Sequence, residues 1–121
     1  MQVDSLIETM NKITKFTDER DWAQFHTVKN LVTSISIEAA ELSETIQWDN
    51  PKISEITSDK QLLESMKNEL ADVMIYCLRL CTVLKANPIE IIEDKIKLNK
   101  QKYPIEKSKG KSSKYTSFSL E

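Results

Sequence analysis

Four stretches of the chain repeat apolar residues at the three-to-four spacing of an amphipathic helix. They cover approximately residues 3–16, 27–47, 61–85 and 88–102. The last stretch starts at Asn87-Pro88, where Asn can cap free backbone amides and Pro suits the first helical position. One Gly and three Pro in 121 residues leave few turns for a sheet. The pattern therefore predicts an all-α fold with four main helices.

Charge divides the chain near residue 104. Residues 105–121 contain four lysines and two glutamates, a net charge of +2, so the total of −2 leaves −4 on residues 1–104. We expect one helical domain at 1–104 followed by a basic C-terminal tail at 105–121. An acidic domain is a poor partner for nucleic-acid phosphates, which attract positive surfaces. We therefore expect no nucleic-acid polymer as a partner.

Length and hydropathy indicate the setting in which the chain works. A chain of 121 residues is one domain, but it is small for a helical enzyme that works alone. We expect a homo-oligomer, a dimer or a tetramer, whose core is shared between subunits. The sequence has no run of eighteen apolar residues and no signal-like N-terminal segment. We expect a cytoplasmic protein that does not contact a membrane.

Two acidic pairs interrupt apolar helical segments. Glu38 and Glu41 lie three residues apart in the second predicted helix, and Glu69 and Asp72 repeat that spacing in the third. Residues three apart share a helix face, so two packed helices would bring four carboxylates together. Several buried like charges are costly without cations. Because Mg2+ prefers carboxylate and phosphate oxygens, the pattern predicts a magnesium site that processes phosphates, with an unsaturated acid available as a base.

Aromatic residues and the one histidine suggest a place for a nucleobase. They lie before and after the second predicted helix and one turn after the second acidic pair: Trp22, Phe25, His26, Trp48 and Tyr76. Aromatic rings stack on bases, and His26 can hydrogen-bond to one. Lys95 and Asn99 share a face of the last predicted helix and suit phosphate or sugar contacts. The alternative for the aromatic residues is packing in the core, and the alternative for Lys95 and Asn99 is a solvated helix face.

Four segments carry these residues in a characteristic order over residues 16–116. They are Arg20-Asp21-Trp22-Ala23-Gln24-Phe25-His26; Glu38-Ala-Ala-Glu41-Leu-Ser-Glu44 with Gln47-Trp48; Glu69-Leu-Ala-Asp72-Val-Met-Ile-Tyr76; and Lys95-Ile-Lys-Leu-Asn99-Lys-Gln-Lys-Tyr103-Pro104. This ordered set resembles the single-domain dCTP pyrophosphatase branch of the MazG-like nucleotide pyrophosphohydrolases. It is far more specific than either acidic pair alone.

The resemblance implies an all-α MazG-like helical bundle. It also implies an Mg2+-dependent hydrolase that cleaves dCTP or modified dCTP between the α and β phosphates, which would sanitise the nucleotide pool. The four acids match the family's metal ligands and catalytic residues, and the aromatic set matches residues around base and sugar. Lys95 and Asn99 match polar pocket residues. Members of the family are dimers or tetramers with sites assembled across subunits, so we expect a homo-oligomer and favour a homotetramer.

Two alternatives remain open from the sequence. The four acids would serve equally in an enzyme that acts on dUTP, on several dNTPs or on a phosphoribosyl nucleotide. A noncatalytic helical oligomerisation or regulatory module could instead keep the metal site for structure alone. The second alternative predicts that Mg2+ stabilises the protein without any turnover.

Overall fold

The computed structural model describes residues 5–118, and every regular element in that range is helical. The α-helices are α1 (Leu6–Glu19), α2 (Val28–Glu44), α3 (Ile53–Ser58), α4 (Lys60–Val83), α5 (Pro88–Lys102) and α6 (Ile105–Ser108). Two 3-10 helices cover Ala23–Phe25 and Tyr115–Phe118. The predicted all-α fold class is confirmed. The predicted start of the first helix near residue 3 lies outside the described residues.

Polar side chains set the starts of the long helices. The Asn87 side chain accepts hydrogen bonds from the backbone amides of Ile89 and Glu90, at 2.9 and 3.2 Å, so α5 begins where the sequence predicts. The Asp59 carboxylate accepts from the Leu62 amide at 3.1 Å and caps α4. The Thr27 hydroxyl caps α2 in the same way. Caps of this kind satisfy amides that have no partner within the helix.

Two local features differ from the predicted helices. α1 continues through Glu19, past the predicted end near residue 16, because Thr17 is buried at 2% exposure and extends the packed face with a polar residue. The predicted loop between residues 49 and 60 contains α3. A helix of six residues is too short to show a repeating apolar pattern in the sequence.

The chain divides into two compact units, one ending at Lys85 and the other beginning at Ala86. In the first unit α4 packs against α2 most extensively, and it also contacts α1 and α3. In the second unit the Tyr115 ring packs edge-on against Tyr103, with 6.0 Å between ring centroids. The predicted boundary between domain and tail at residue 104 stays a prediction.

A single chain buries few of its apolar side chains. Within the described residues, the buried hydrophobic side chains of the core are Met10, at 8% exposure, and Leu31, at 1%. Large apolar residues of α1 and α4, such as Phe16 and Met74, remain about half exposed. None of the described helices is long and apolar enough to cross a membrane.

Candidate active site

The packing of α2 against α4 brings three of the predicted acids together. Glu38 and Glu41 project from α2, and Glu69 projects from α4. One carboxylate oxygen from each lies within 4.8 Å of the others, a spacing that could hold a metal ion. Glu38 and Glu69 are half-buried, whereas Glu41 is exposed. We call these three residues the acidic cluster.

Two oxygens of the acidic cluster lack partners. Glu38 Oε2 and Glu69 Oε2 are buried, and neither accepts a hydrogen bond from the described residues. Leaving a buried carboxylate oxygen without a partner is costly, and a cation would remove that cost. Carboxylate oxygens are also the ligands that hard divalent cations prefer. The residues present therefore fit a divalent metal.

Two members of the acidic cluster, Glu38 and Glu69, have pKa values above that of an ordinary glutamate. The pKa of Glu38 is raised to about 7, chiefly by burial and further by a hydrogen bond with Glu41 and the negative charges of Glu41, Asp72 and Glu69. Burial also raises the pKa of Glu69, followed by the negative charges of Glu41, Asp72 and Glu44. Like charges in a partly dry site favour the protonated form, and a bound cation would reverse that preference.

Asp72, the fourth predicted acid, lies at the border of the acidic cluster. It follows Glu69 by one turn of α4 and is exposed. No oxygen of Asp72 joins the close set of three, although its charge raises the pKa values of Glu38 and Glu69. Its side chain instead lines an adjoining cavity. Asp72 therefore connects the acidic cluster with that cavity.

The adjoining cavity has a volume of about 230 Å3 and lies between α1, the turn that follows it, and α4. Its walls are Ile13, Phe16, Thr17, Trp22, His26, Asp72, Ile75, Tyr76 and Arg79. A second cavity of about 250 Å3 shares Trp22, His26 and Tyr76 and adds Phe25. The structure thus brings together four of the five aromatic or histidine residues that the sequence singles out.

The turn after α1 positions Trp22. Asp21 adopts φ = 53°, in the left-handed region that Asp tolerates better than most residues. The Trp22 amide then donates to the Thr17 carbonyl at 3.0 Å, and the Trp22 ring packs edge-on against Phe16 at 5.6 Å between centroids. The following loop is tied down by Asn30, whose Nδ2 donates to the Phe25 carbonyl at 2.9 Å.

Three predicted site residues are not part of this grouping. Trp48 is 87% exposed in the turn after α2 and lines neither cavity. Lys95 and Asn99 lie one turn apart on α5 in the second unit, and both are exposed. Their assignment to the substrate stays a prediction.

Arg79 also lies in the cavity wall, and it is not among the site residues that the sequence pattern predicts. The residue is 7% exposed, and its Nε donates to Nδ1 of His26 at 2.9 Å. Burial and the positive charge of Arg79 lower the pKa of His26. The spacing of Asp72, Tyr76 and Arg79 along one face of α4 is the signal that would have found it.

A family model described as MazG-like matches residues 33–118, which is most of the chain. The chain belongs to the MazG-like family. This MazG-like chain is 34% identical over 104 residues to dCTP pyrophosphatase 1 of Mus musculus and 32% identical over 104 residues to that of Homo sapiens. In each case the match covers 84% of this chain and 61% of the relative, so the chain spans about three-fifths of their length.

A solved structure extends the similarity to the fold. The crystal structure of a pyrophosphatase from Archaeoglobus fulgidus superimposes on this chain with a TM-score of 0.76 and 39% sequence identity. The match covers 86% of this MazG-like chain and 96% of the archaeal chain.

Proposed function

We propose that this MazG-like protein is an Mg2+-dependent nucleoside triphosphate pyrophosphohydrolase. It cleaves dCTP or modified dCTP between the α and β phosphates, releases dCMP and pyrophosphate, and so sanitises the nucleotide pool. The observation that carries the proposal is the convergence of Glu38, Glu41 and Glu69, with two unpartnered buried oxygens, beside an aromatic cavity. The names of the curated relatives and of the archaeal structure support the same reaction class.

The acids of the chain have two roles in the proposed reaction, metal binding and proton transfer. Glu38, Glu41 and Glu69 would hold the metal, and Asp72, which lines the cavity, is the fourth acid that we assign to metal binding and catalysis. When bound, Mg2+ neutralises phosphate charge in the transition state and lowers the pKa of an attacking water. In the overall reaction water hydrolyses the anhydride linkage between the α and β phosphates, and dCMP and pyrophosphate are released. An acid that is not saturated by metal accepts the proton of that water.

The aromatic cavity receives the nucleoside. Trp22 and Tyr76 offer ring faces for stacking, Phe25 borders the second cavity, and His26 supplies a hydrogen-bonding edge. We assign Lys95 and Asn99 to polar contacts with the phosphate or the sugar of the substrate. Because nucleotide bases and phosphates differ in polarity, an aromatic cavity beside an acidic cluster matches both ends of one substrate.

Oligomerisation completes both the core and the site. A groove of about 580 Å3 between α1 and α4 is almost wholly apolar, and exposed Met74 and half-buried Leu78 line it. A second copy of the chain on this groove would bury apolar surface that one chain leaves in water. Trp48, exposed in one chain, then contacts substrate as part of a homo-oligomeric site, in a dimer or a tetramer.

The experiment that tests the proposal is product analysis. Purified protein is incubated with Mg2+ and separately with dCTP, dTTP, dATP, dGTP and dUTP, and products are resolved by anion-exchange chromatography. We expect equimolar monophosphate and pyrophosphate, with dCTP hydrolysed fastest, and no reaction in chelator. Diphosphate and inorganic phosphate would show that another bond is cleaved.

Other outcomes favour the alternatives. Similar rates for all nucleotides, or fastest hydrolysis of dUTP, would show that the enzyme is not selective for dCTP. Absence of turnover for every nucleotide, together with a melting temperature that Mg2+ still raises, would indicate a regulatory module with a structural metal site. Measuring the melting temperature beside the rates therefore separates a failed assay from an inactive protein.

A further inference from the structure

Arg79 is a buried cation that has no anionic partner among the described residues. Its side chain is over nine-tenths buried, yet among residues 5–118 no carboxylate lies within 4.0 Å of its guanidinium. Its one hydrogen bond within that range goes to His26. Removing a guanidinium from water is costly unless acceptors replace the water. The residue therefore lies in the cavity wall with donors that the rest of the described chain does not use.

The geometry of the guanidinium defines what it can bind. The group is planar and carries five N–H donors, one of which, on Nε, donates to Nδ1 of His26. The four remaining donors are on the two terminal nitrogens, which form a fork suited to two adjacent acceptors. The bond to His26 fixes the plane of this fork. It also leaves the proton of neutral His26 on Nε2, which makes that atom a donor.

The position of Arg79 along α4 relates it to the acids. A helix rises 1.5 Å per residue, so Arg79 lies about 10 Å beyond Asp72 and about 15 Å beyond Glu69 along the axis. Asp72, Tyr76 and Arg79 all line the same cavity. If phosphates lie at the acidic cluster, the opposite end of the nucleotide reaches Arg79. That end is the base.

We propose that Arg79 selects the nucleobase, by donating from its two terminal nitrogens to the adjacent O2 and N3 acceptors of cytosine. This inference rests on the proposed function, because it assumes that the cavity holds a nucleotide. Among the pyrimidines, cytosine presents two adjacent acceptors, whereas uracil and thymine have an N3–H donor at the second position. An arginine fork facing that N–H would leave one donor opposed by another donor. Arg79 thus favours cytosine and disfavours uracil and thymine.

The matched variants are Arg79→Lys and Arg20→Lys. Both keep the charge and remove the fork, but exposed Arg20 donates to the Phe16 carbonyl and covers the Phe16 ring outside the cavity. Binding of dCMP and dUMP to metal-free protein is measured by calorimetry. We expect Arg79→Lys to weaken dCMP binding by roughly 5- to 150-fold, the range for loss of a bidentate contact to a base. Binding of dUMP should change little, and Arg20→Lys should alter neither.

A modified ligand tests the same contact without relying on the fold of a variant. The monophosphate of 3-deaza-deoxycytidine has a C–H group in place of N3. Wild-type protein should bind it as weakly as Arg79→Lys binds dCMP, and Arg79→Lys should bind the two ligands alike. Equal loss of dCMP and dUMP binding in Arg79→Lys would overturn the proposal, because it would indicate a structural or phosphate-binding role. So would wild-type binding that does not distinguish dCMP from dUMP, or that favours dGMP.

The two proposals can fail separately. Hydrolysis of dCTP by the same wild-type preparation reports on the proposed function. A protein that prefers dCMP through Arg79 but hydrolyses no triphosphate would retain base selection and lose the enzymatic assignment. The ratio of kcat/KM for dCTP to kcat/KM for dUTP can also be compared between wild type and Arg79→Lys. If both proteins hydrolyse dCTP and the ratio is the same, the enzymatic assignment stands and base selection by Arg79 is overturned.

Discussion

The two ends of the candidate site carry opposite charges on the same helix, and neither charge is neutralised by the other. Among the described residues, one buried carboxylate oxygen of Glu69 near the middle of α4 has no hydrogen bond, and Arg79 ten residues later hydrogen-bonds only to neutral His26. The helical rise separates them by about 15 Å. At that distance across a partly solvated surface, their attraction is largely screened.

The two ends differ in what they require. The acidic cluster consists of like charges, so it requires a cation, and any phosphate-bearing ligand can benefit from that cation. Arg79 is held in one plane by His26, so it requires acceptors in a fixed arrangement. Changes at the acidic cluster should therefore affect every substrate alike. Changes at Arg79 should affect the choice among substrates.

The largest expected effect comes from the acidic cluster. Glu38→Gln and Glu69→Gln should each reduce Mg2+-dependent hydrolysis by about 10²- to 10⁴-fold for all nucleotides, since the metal contributes several kcal/mol to the transition state. Metal-free melting temperature should stay the same or rise, because repulsion among the acids falls. Steady-state rates and thermal melting in chelator provide the two measurements.

Glu64→Gln is the matched control for these variants. Glu64 lies on the same helix as Glu69 but is exposed, and its Oε1 contacts Lys67 Nζ at 3.1 Å. Surface pairs of this kind contribute little to stability, so rates and melting temperature should remain near wild type. If Glu38→Gln unfolded the protein in chelator, or if Glu64→Gln lost as much activity, the distinct role of the acidic cluster would be contradicted.

The long helices and the acidic cluster were predictable because each produces a regular spacing in the sequence. The i,i+3 spacing of Glu38 and Glu41, repeated at Glu69, placed carboxylates on facing helix surfaces, and α2 and α4 do pack together. The burial of Thr17 and Arg79 was not predictable in this way, although the spacing of Arg79 from Asp72 and Tyr76 does place it on their face of α4. Both are polar residue types that usually lie at the surface, and their burial depends on what another part of the chain places beside them.

The grouping of the aromatic residues and His26 was predictable from the sequence, whereas the exposure of Trp48 was not. The sequence gathers Trp22, Phe25, His26, Trp48 and Tyr76 as base-binding candidates, and the structure places all of them except Trp48 around two cavities that share walls. Trp48 is exposed instead. The spacing of aromatic residues shows which helix face they share within a chain. It carries no information on surfaces that a second chain would cover.

A smaller effect should follow from disrupting the apolar groove between α1 and α4. The groove shares Ile13, Phe16 and Ile75 with the cavity and shares no residue with the acidic cluster. Met74→Glu places a charge in the groove and should raise the dissociation constant of the oligomer by about 10- to 1000-fold, because a buried unpaired charge costs several kcal/mol. Light scattering coupled to size-exclusion chromatography measures the change in mass.

Gln61→Glu adds the same charge at an exposed position of α4 outside the groove, so it should leave the mass unchanged. In the monomeric variant KM for dCTP should rise, because the groove and the cavity share a wall, while Mg2+ binding should persist. A Met74→Glu protein with wild-type mass would show that this groove is not the interface.

The smallest expected effect is a dependence of metal-free stability on pH. The pKa of Glu38 is about 7 in the folded protein and about 4.5 for an ordinary glutamate, so the folded state binds the proton more tightly. This stabilisation is complete below about pH 4.5 and is lost as pH rises toward about 7. The lowered pKa of His26 acts in the opposite direction, since its contribution is lost as pH falls.

The difference in melting temperature between wild type and Glu38→Gln isolates the carboxyl group, because His26 is present in both proteins. In chelator, wild type should lose more stability than Glu38→Gln between about pH 5 and about pH 8. Added Mg2+ should raise the melting temperature of wild type more at the higher pH, since ligands must be deprotonated to bind metal. A difference that does not vary with pH would mean that Glu38 is already ionised at the lower pH. The carboxylates of the acidic cluster would then repel one another at both pH values, and the cluster would require a cation at both.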